Sequence, residues 1–319
     1  MEYRKLIKFG NSSHVISIPS TWIQKNNLKK GDTLYLEENG NNELIVLPKE
    51  INREKEEKEI IINTDRKDPK LVKREVIAAY LNNYNNIRVM GKDLSGLIGP
   101  IREGVDLLMA CEVLEQNHQY ILCKDFLNVS ELSPKELIRK MDNITRAMFL
   151  DFEMLGINTD LAQFKGRAED VKKISFVIYR ILKAGLKDPS LIKRHSLSNF
   201  EMFHWWYLAE SIEYIAQDIK NFCIILSLNK LKKNNILGDI KFKELISTLK
   251  RLYEHAVTSF YKNDYTLALT VSDLKYTFEE KCDNYIERNQ NESFIGGLIE
   301  RFKMIIKRIN AIAREVYSN

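Results

Sequence analysis

Regularly spaced apolar residues over the C-terminal half of the sequence constrain its fold more than any other feature. From residue 134 onward, apolar side chains recur every three or four positions, the spacing that places them on one face of an α-helix. Together with helices near 161–187, 241–263 and 265–288, these stripes predict six long helices with bundle cores. The clearest stripes are Leu137, Met141, Ile144, Met148, Phe152 and Leu155; Ile212, Ile215, Ile219, Phe222 and Leu226; and Leu298, Phe302, Ile305, Ile309, Ile312 and Val316.

A polar segment, "NKLKKNNILGD", separates the third of these helices from the fourth. Polar runs that contain glycine are typical of breaks between helices. We therefore predict two tandem three-helix bundles, over 134–228 and 240–319. An internal duplication would produce this arrangement, although the two halves share little residue identity.

The region before the helices mixes strands and helices. "EIIIN" and "IRVMG" are typical of strands, a helix begins at Asp68-Pro69, another lies around 94–108, and "CEVLEQ" with "YILCKDF" predicts a hairpin. We expect a small α+β unit over 60–129. Residues 49–59, "KEINREKEEKE", contain nine charged residues of eleven and predict a solvated linker. The fold class is therefore α+β multidomain, with most of the chain helical.

The N-terminal segment is predicted to be a small β unit over residues 1–48. Strands are expected at 3–9, 14–18, 33–38 and 43–47, with a helix at about 20–27 that begins beside Pro19 and Ser20. So short a segment buries too little apolar surface to be comfortably stable alone. Strand exchange with a second copy would supply the missing core, so we expect a homodimer.

The net positive charge of the chain equals that of its first 31 residues. Residues 1–31 contain Arg4, Lys5, Lys8, Lys25, Lys29 and Lys30 against Glu2 alone, and six minus one equals the +5 of the whole chain. A basic surface on a small unit favours a polyanion partner such as DNA. A merely solvated charged face is the alternative interpretation.

The sequence lacks the residues that several functional classes require. The four cysteines lie far apart without paired spacing, which argues against a disulfide framework or a zinc site and fits a reducing cytosol. The apolar runs are too short for a membrane span and no signal peptide is visible, so we expect a cytoplasmic protein without membrane insertion. No nucleophile–base pair, nucleotide loop or metal-hydrolase motif is present, and we expect no enzyme activity.

The N-terminal residues also resemble a known family. "LIKFGNSSHVISIP" followed by "WIQKNNLKKGDTLYLEENGNNELIVLP" resembles the swapped-hairpin domain of the AbrB, SpoVT and MazE group of DNA-binding proteins, over residues 1–48. The resemblance implies a β-barrel of interleaved hairpins from two chains, with DNA on the first strand and the following loop. By position, the implied DNA contacts are Arg4, Lys5, Lys8, Asn11, Ser12, Ser13 and His14. His14 could equally be an ordinary polar loop residue.

The remainder of the chain resembles a second family. "REVIAAYLNNYNNIRV", "GPIREGVDLLMACEVLEQNHQYILCKDFL" and the two groups of three helices resemble archaeal proteins that fuse an AbrB-like domain to PhoU-like bundles. PhoU proteins regulate high-affinity phosphate uptake negatively, through a transporter and a sensor kinase. The resemblance therefore implies a phosphate uptake regulator, with a phosphate transporter or a sensor protein as the candidate protein partner.

The same resemblance implies carboxylates that hold a metal cluster. Acids four residues apart on a helix present oxygens on one face, as a divalent cation requires. Gln217 stands where the family has an aspartate, and Lys303, Lys307 and Arg308 crowd the face of the last helix where acids are expected. Solvated helix faces explain the acids more simply than a bound metal. The candidate ligands for a divalent metal, the only cofactor that the resemblance implies, are Glu213, Asp218, Glu279 and Asp283.

Three functions fit these observations. The first is a transcriptional regulator that binds DNA through the N-terminal dimer and receives phosphate status through the PhoU-like bundles. The second is an adaptor without DNA binding, which restrains a phosphate transporter or its sensor by protein contact and uses the β domain only to dimerise. The third, an antitoxin, is disfavoured because antitoxin tails are short and disordered, whereas about 270 residues here are patterned to fold.

Overall fold

The computed structural model describes residues 3–38, 44–49, 57–155, 162–187, 191, 195, 197–229, 236–290 and 293–318. The chain divides into two compact units, Met1–Glu56 and Glu57–Asn319. Most of the predicted charged linker, residues 50–56, and the middle of the polar break, residues 230–235, lie outside the described residues.

The N-terminal unit consists of two hairpins and one short helix. Strand β1, Ile7–Phe9, pairs antiparallel with β2, Ser13–Val15, and β3, Tyr35–Glu38, pairs antiparallel with β4, Leu44–Leu47. Helix α1, Ser20–Lys25, follows the first hairpin. The predicted first strand, 3–9, is too long by four residues because only its last three residues have ladder partners on β2 among the residues described.

A four-stranded mixed sheet opens the second unit. Its strands are β5, Glu59–Asn63; β6, Asn86–Met90; β7, Cys111–Gln116; and β8, Tyr120–Asp125, in the order β5-β6-β8-β7. Strands β5 and β6 are parallel, and helix α2, Pro69–Leu81, connects them. Helix α3, Ile98–Val105, precedes β7. The alternate residues Ile62, Ile87, Val89, Ile121 and Cys123 bury one sheet face together with residues of α2 and α3.

Six long helices follow, close to the predicted positions. They are α4, Pro134–Glu153; α5, Ala162–Lys187; α6, Asn199–Leu228; α7, Ile240–Lys262; α8, Tyr265–Arg288; and α9, Ser293–Tyr317. Side-chain hydrogen bonds cap the N-termini of several helices. Ser133 caps α4, Ser198 forms a capping box with Glu201 on α6, and Asp264 caps α8. None of the described helices combines the length and the hydropathy that crossing a membrane requires.

The six helices share one hydrophobic core. Helices α4, α5 and α6 pack on one another, as do α7, α8 and α9. However, α6 also packs against α9 and α4 against α7, and one continuous cluster of buried residues extends through all six helices. At the junction, the ring of Phe222 lies 4.7 Å from Phe152 and 5.2 Å from Phe302, and Phe242 lies 5.3 Å from Phe302. The two predicted bundles therefore have a common core.

A buried arginine joins α5 to the sheet. Arg180, 1% exposed, donates a hydrogen bond to the carboxylate of Asp125 at the end of β8 and another, of 2.9 Å, to Asn83 Oδ1. Its guanidinium lies 3.9 Å from the centre of the Tyr80 ring. Because Asp125 is also buried, this pair has little contact with solvent. The pair fixes the position of α5 against the α+β part of the same unit.

Candidate nucleic-acid interface

The first hairpin has two chemically different faces. Ile7 lies opposite Val15, and Lys8 lies opposite His14. Residues directly opposite each other in a ladder share a face, and successive residues alternate between faces. Lys8 and His14 therefore lie together on one face, whereas Ile7, Phe9 and Val15 lie on the other. The alternation of Ile7, Lys8 and Phe9 was visible in the sequence and could have predicted this division.

The turn of this hairpin carries the polar loop residues to its tip. Gly10 has φ of +71°, in the left-handed region that favours glycine, and it starts the turn between β1 and β2. Asn11 and Ser12 lie in that turn. Arg4 and Lys5 precede β1 outside any strand. All seven residues predicted to contact DNA are exposed, namely Arg4, Lys5, Lys8, Asn11, Ser12, Ser13 and His14.

More basic side chains lie around the end of α1. Lys25, Lys29 and Lys30 are exposed, like the three cations near β1. The carboxylate of Asp32 accepts a hydrogen bond of 2.7 Å from the backbone N–H of Lys29, which holds the turn that leads toward β3. Six positively charged side chains are therefore exposed to solvent on one small unit, an arrangement that favours a polyanionic partner.

The N-terminal unit has no hydrophobic core of its own within residues 3–36 and 44–49, the part of it whose burial the structure describes. No residue in these ranges is buried. Large apolar side chains are instead exposed, among them Phe9 at 68%, Leu36 at 63% and Leu44 at 60%. A folded monomeric domain rarely exposes so much of its apolar surface. The apolar faces of the hairpins are thus available for contact with another chain.

Two of the four carboxylates predicted to bind metal lie on α6 and have partners within the protein. Asp218 accepts a hydrogen bond of 3.1 Å from Arg301 on α9. Glu213 accepts one of 2.6 Å from the hydroxyl of Ser175 on α5. Burial raises the pKa of both carboxyl groups, and these hydrogen bonds oppose the increase.

The other two carboxylates lie on α8 and pair with lysines. Lys303 Nζ lies 2.5 Å from Asp283 Oδ1, and Lys275 Nζ lies 3.7 Å from Glu279 Oε2. Across the part of the chain that the structure describes, no three or more His, Cys, Asp or Glu residues form a group that could hold a metal ion. The predicted ligands are not brought together, and three of the four face a cation, so this donor set does not fit a divalent metal cluster.

Comparison with known proteins identifies only the N-terminal part of the chain. Residues 7–62 match the family model described as "Antidote-toxin recognition MazE, bacterial antitoxin". No curated protein and no solved structure matches the chain. The match begins at β1 and extends past the predicted boundary at 48, to residue 62 within β5. The N-terminal part of the chain is therefore MazE/AbrB-like, a domain type that suggests a DNA-binding regulator and that precedes a mostly helical region.

Proposed function

We propose that the protein is a DNA-binding transcriptional regulator that acts as a homodimer. The observation that carries this proposal is the division of the first hairpin into a basic face, with Lys8 and His14, and an apolar face, with Ile7, Phe9 and Val15. The apolar face can pack against a second chain while the basic face remains free for DNA.

The exposed apolar residues support dimerisation by interleaved hairpins. Full burial of one large apolar side chain contributes about 1.5–3 kcal/mol. These side chains are already partly covered in one chain, so completing the burial of five of them in each of two copies would contribute on the order of 10–15 kcal/mol, comparable with the roughly 4–15 kcal/mol that association costs. The five used here are Ile7, Phe9, Val15, Leu36 and Leu44. A dimer would also present Arg4, Lys5 and Lys8 twice, giving six cations for phosphate contacts.

The helical region is proposed to be PhoU-like and to transmit phosphate status to the DNA-binding dimer. Its six helices in two groups of three, packed around one core, support this proposal. In this scheme the protein regulates phosphate uptake genes in the cytoplasm, and a phosphate transporter or sensor protein is its proposed signalling partner.

A DNA titration of the full chain tests the proposal. Fluorescence anisotropy with a labelled duplex should show binding that weakens steeply with salt, because phosphate contacts release counterions. Lys8→Ala should weaken binding to all sequences alike and lower the salt slope by about one for each phosphate that a subunit no longer neutralises. Lys70→Ala, which removes an exposed charge from α2, is the matched control and should leave binding unchanged. Absence of duplex binding at low salt, or equal binding by the triple variant Arg4→Ala/Lys5→Ala/Lys8→Ala, would contradict the proposal.

An adaptor without DNA binding is the second candidate, because the apolar hairpin faces account for a dimer whether or not DNA binds. Under this hypothesis the triple alanine variant remains dimeric and fully able to repress phosphate uptake in cells. Under the regulator hypothesis it remains dimeric but loses repression. Sedimentation velocity and a phosphate uptake assay on the same variant separate the two.

The name of the matched family refers to toxin recognition, so an antitoxin function is the third candidate. Residues 57–319 form a compact unit with two hydrophobic cores, whereas the antitoxins of the resembled group use short disordered tails. This difference favours a regulator over an antitoxin.

A further inference from the structure

A groove of about 190 Å³ lies between the first two turns of α7 and the last two turns of α8. The two helices are antiparallel neighbours, since only Asn263 and Asp264 separate them. Each helix lines the groove with residues at positions i, i+3, i+4 and i+7, which share one helix face. The lining residues are Lys241, Glu244, Leu245 and Thr248 from α7, and Lys281, Asn284, Tyr285 and Arg288 from α8.

The floor of the groove belongs to the hydrophobic core. Leu245 and Tyr285 are buried, and the ring of Tyr285 lies 5.7 Å from that of Phe242. The Tyr285 hydroxyl donates a hydrogen bond of 2.7 Å to Asp239, the residue that caps α7. Both ends of the tyrosine are thus held, and the floor is an apolar surface of fixed shape.

The walls of the groove carry an excess of positive charge. Lys241, Lys281 and Arg288 are exposed, and none has a carboxylate within 4.0 Å among the residues that the structure describes. Glu244 is the one acidic residue of the lining, so the net charge of the lining is +2. The amide of Asn284 is an additional, neutral hydrogen-bond donor.

Two other lysines on these helices have acidic partners. Lys250 on α7 pairs with Glu153 at 2.8 Å, and Lys275 on α8 lies 3.7 Å from Glu279. Three cations that converge on one cavity without such partners repel one another, and an anion between them would relieve that repulsion. The helices therefore hold a set of donors suited to a negatively charged ligand.

The geometry points to a binding site for a small phosphate-type anion, either free phosphate or pyrophosphate or the phosphate group of a small phosphomonoester. The groove volume of about 190 Å³ is large enough for several water molecules, each of which needs roughly 10–15 Å³. The groove is smaller than the pockets of roughly 300–1,000 Å³ that bind drug-sized ligands. Guanidinium and ammonium groups make short, charge-assisted hydrogen bonds to phosphate oxygens. The net charge of +2 complements a dianion. The inference concerns α7 and α8 alone and does not depend on DNA binding.

Isothermal titration calorimetry of the full chain at constant ionic strength tests the site. Pyrophosphate and inorganic phosphate probe the free anions, and adenosine monophosphate probes the phosphomonoester. We expect one saturable site per chain for at least one of them. Because the donors are solvent-exposed, their charge-assisted hydrogen bonds are screened in part, and Lys281→Gln and Arg288→Gln should each weaken binding by about fivefold.

The matched control is Lys243→Gln, an equal charge change at an exposed position of α7 outside the groove lining. It should leave the affinity within about twofold of the unmodified chain. Circular dichroism and the charge-conserving Lys281→Arg, which should retain binding, separate loss of the site from loss of fold. Tighter binding of the monophosphate than of either free anion would identify a phosphomonoester. Absence of saturable binding for all three probes, several equivalent sites per chain, or an equal loss in Lys243→Gln would overturn the inference.

Discussion

Replacing Arg180 by methionine should destabilise the second unit by about 3–5 kcal/mol, the usual cost of leaving one charge of a buried pair without its partner. Methionine retains much of the apolar stem, so the loss comes mainly from the charge. Asp125 is 4% exposed, and without Arg180 the one remaining hydrogen bond that the structure gives its carboxylate is that of 3.1 Å from the backbone N–H of Leu127. Methionine also cannot replace the cation–π interaction of the guanidinium with the ring of Tyr80.

A double-mutant cycle isolates the electrostatic part of this loss. Asp125→Leu leaves the buried guanidinium without its carboxylate and should cost a similar amount. The double variant Arg180→Met/Asp125→Leu replaces the pair by apolar side chains and should recover much of the stability, since a buried pair and a well-packed apolar contact are often nearly equivalent. Urea unfolding followed by circular dichroism gives each free energy of unfolding, with m-values that check that the unfolding transition is unchanged.

The pair between Arg88 and Glu59 is the matched control. It lies on the same sheet, with 2.7 Å between Arg88 Nε and Glu59 Oε1, but both side chains are partly exposed. Arg88→Met should therefore cost less than about 1 kcal/mol. A loss for Arg180→Met as small as that of this control would refute the argument, because it would mean that the buried pair is effectively solvated.

Three further predictions concern packing, ionisation and metal. Gly91→Ala should lower the free energy of unfolding by about 1–3 kcal/mol, because its Cβ would lie 2.1 Å from Thr64 Oγ1; an unchanged midpoint in urea would count against this packing. Burial raises the pKa of Glu213 in the folded chain, so its ionisation opposes folding at every pH above the carboxyl's unfolded pKa. Glu213→Gln should therefore raise the melting temperature at pH 7, and the difference should disappear as the pH falls below the unfolded pKa; a pH-independent difference would contradict this. Removal of metal by exhaustive chelation should leave the helical circular dichroism unchanged, because the four predicted metal ligands already have partners in the protein. Loss of the helical signal would show that folding requires metal.

Local pattern predicts the helices well and the strand lengths poorly. The boundaries predicted for α8, 265–288, agree with the structure, because helical hydrogen bonds and caps such as Asp264 are close in sequence. The strand predicted over 3–9 is Ile7–Phe9 in the structure, because the ends of a strand depend on its partner. The common core of the six helices was not predicted, since the apolar stripe of one helix does not specify which helix covers it.

Long-range contacts limit the prediction of the candidate sites. Arg180 is separated from Asp125 by 55 residues and from Asn83 by 97, and the one sequence signal is a cation within the apolar run "FVIYRIL". Glu279 and Asp283 have the spacing of metal ligands, but Lys303, which pairs with Asp283, comes from another helix. The basic face of the first hairpin can be predicted from the sequence, because the alternation of side chains along a strand depends only on neighbouring residues.

The four phenylalanines at the junction of the six helices have a consequence for how this chain can change through evolution. Phe152 and Phe222 belong to the first group of three helices, and Phe242 and Phe302 to the second. If the region arose by duplication, the two copies have since become dependent on each other, because either half without the other would leave two of these rings exposed to water. Recombination can exchange the pair of halves as a single cassette, whereas either half on its own would be a substrate for chaperones and proteases.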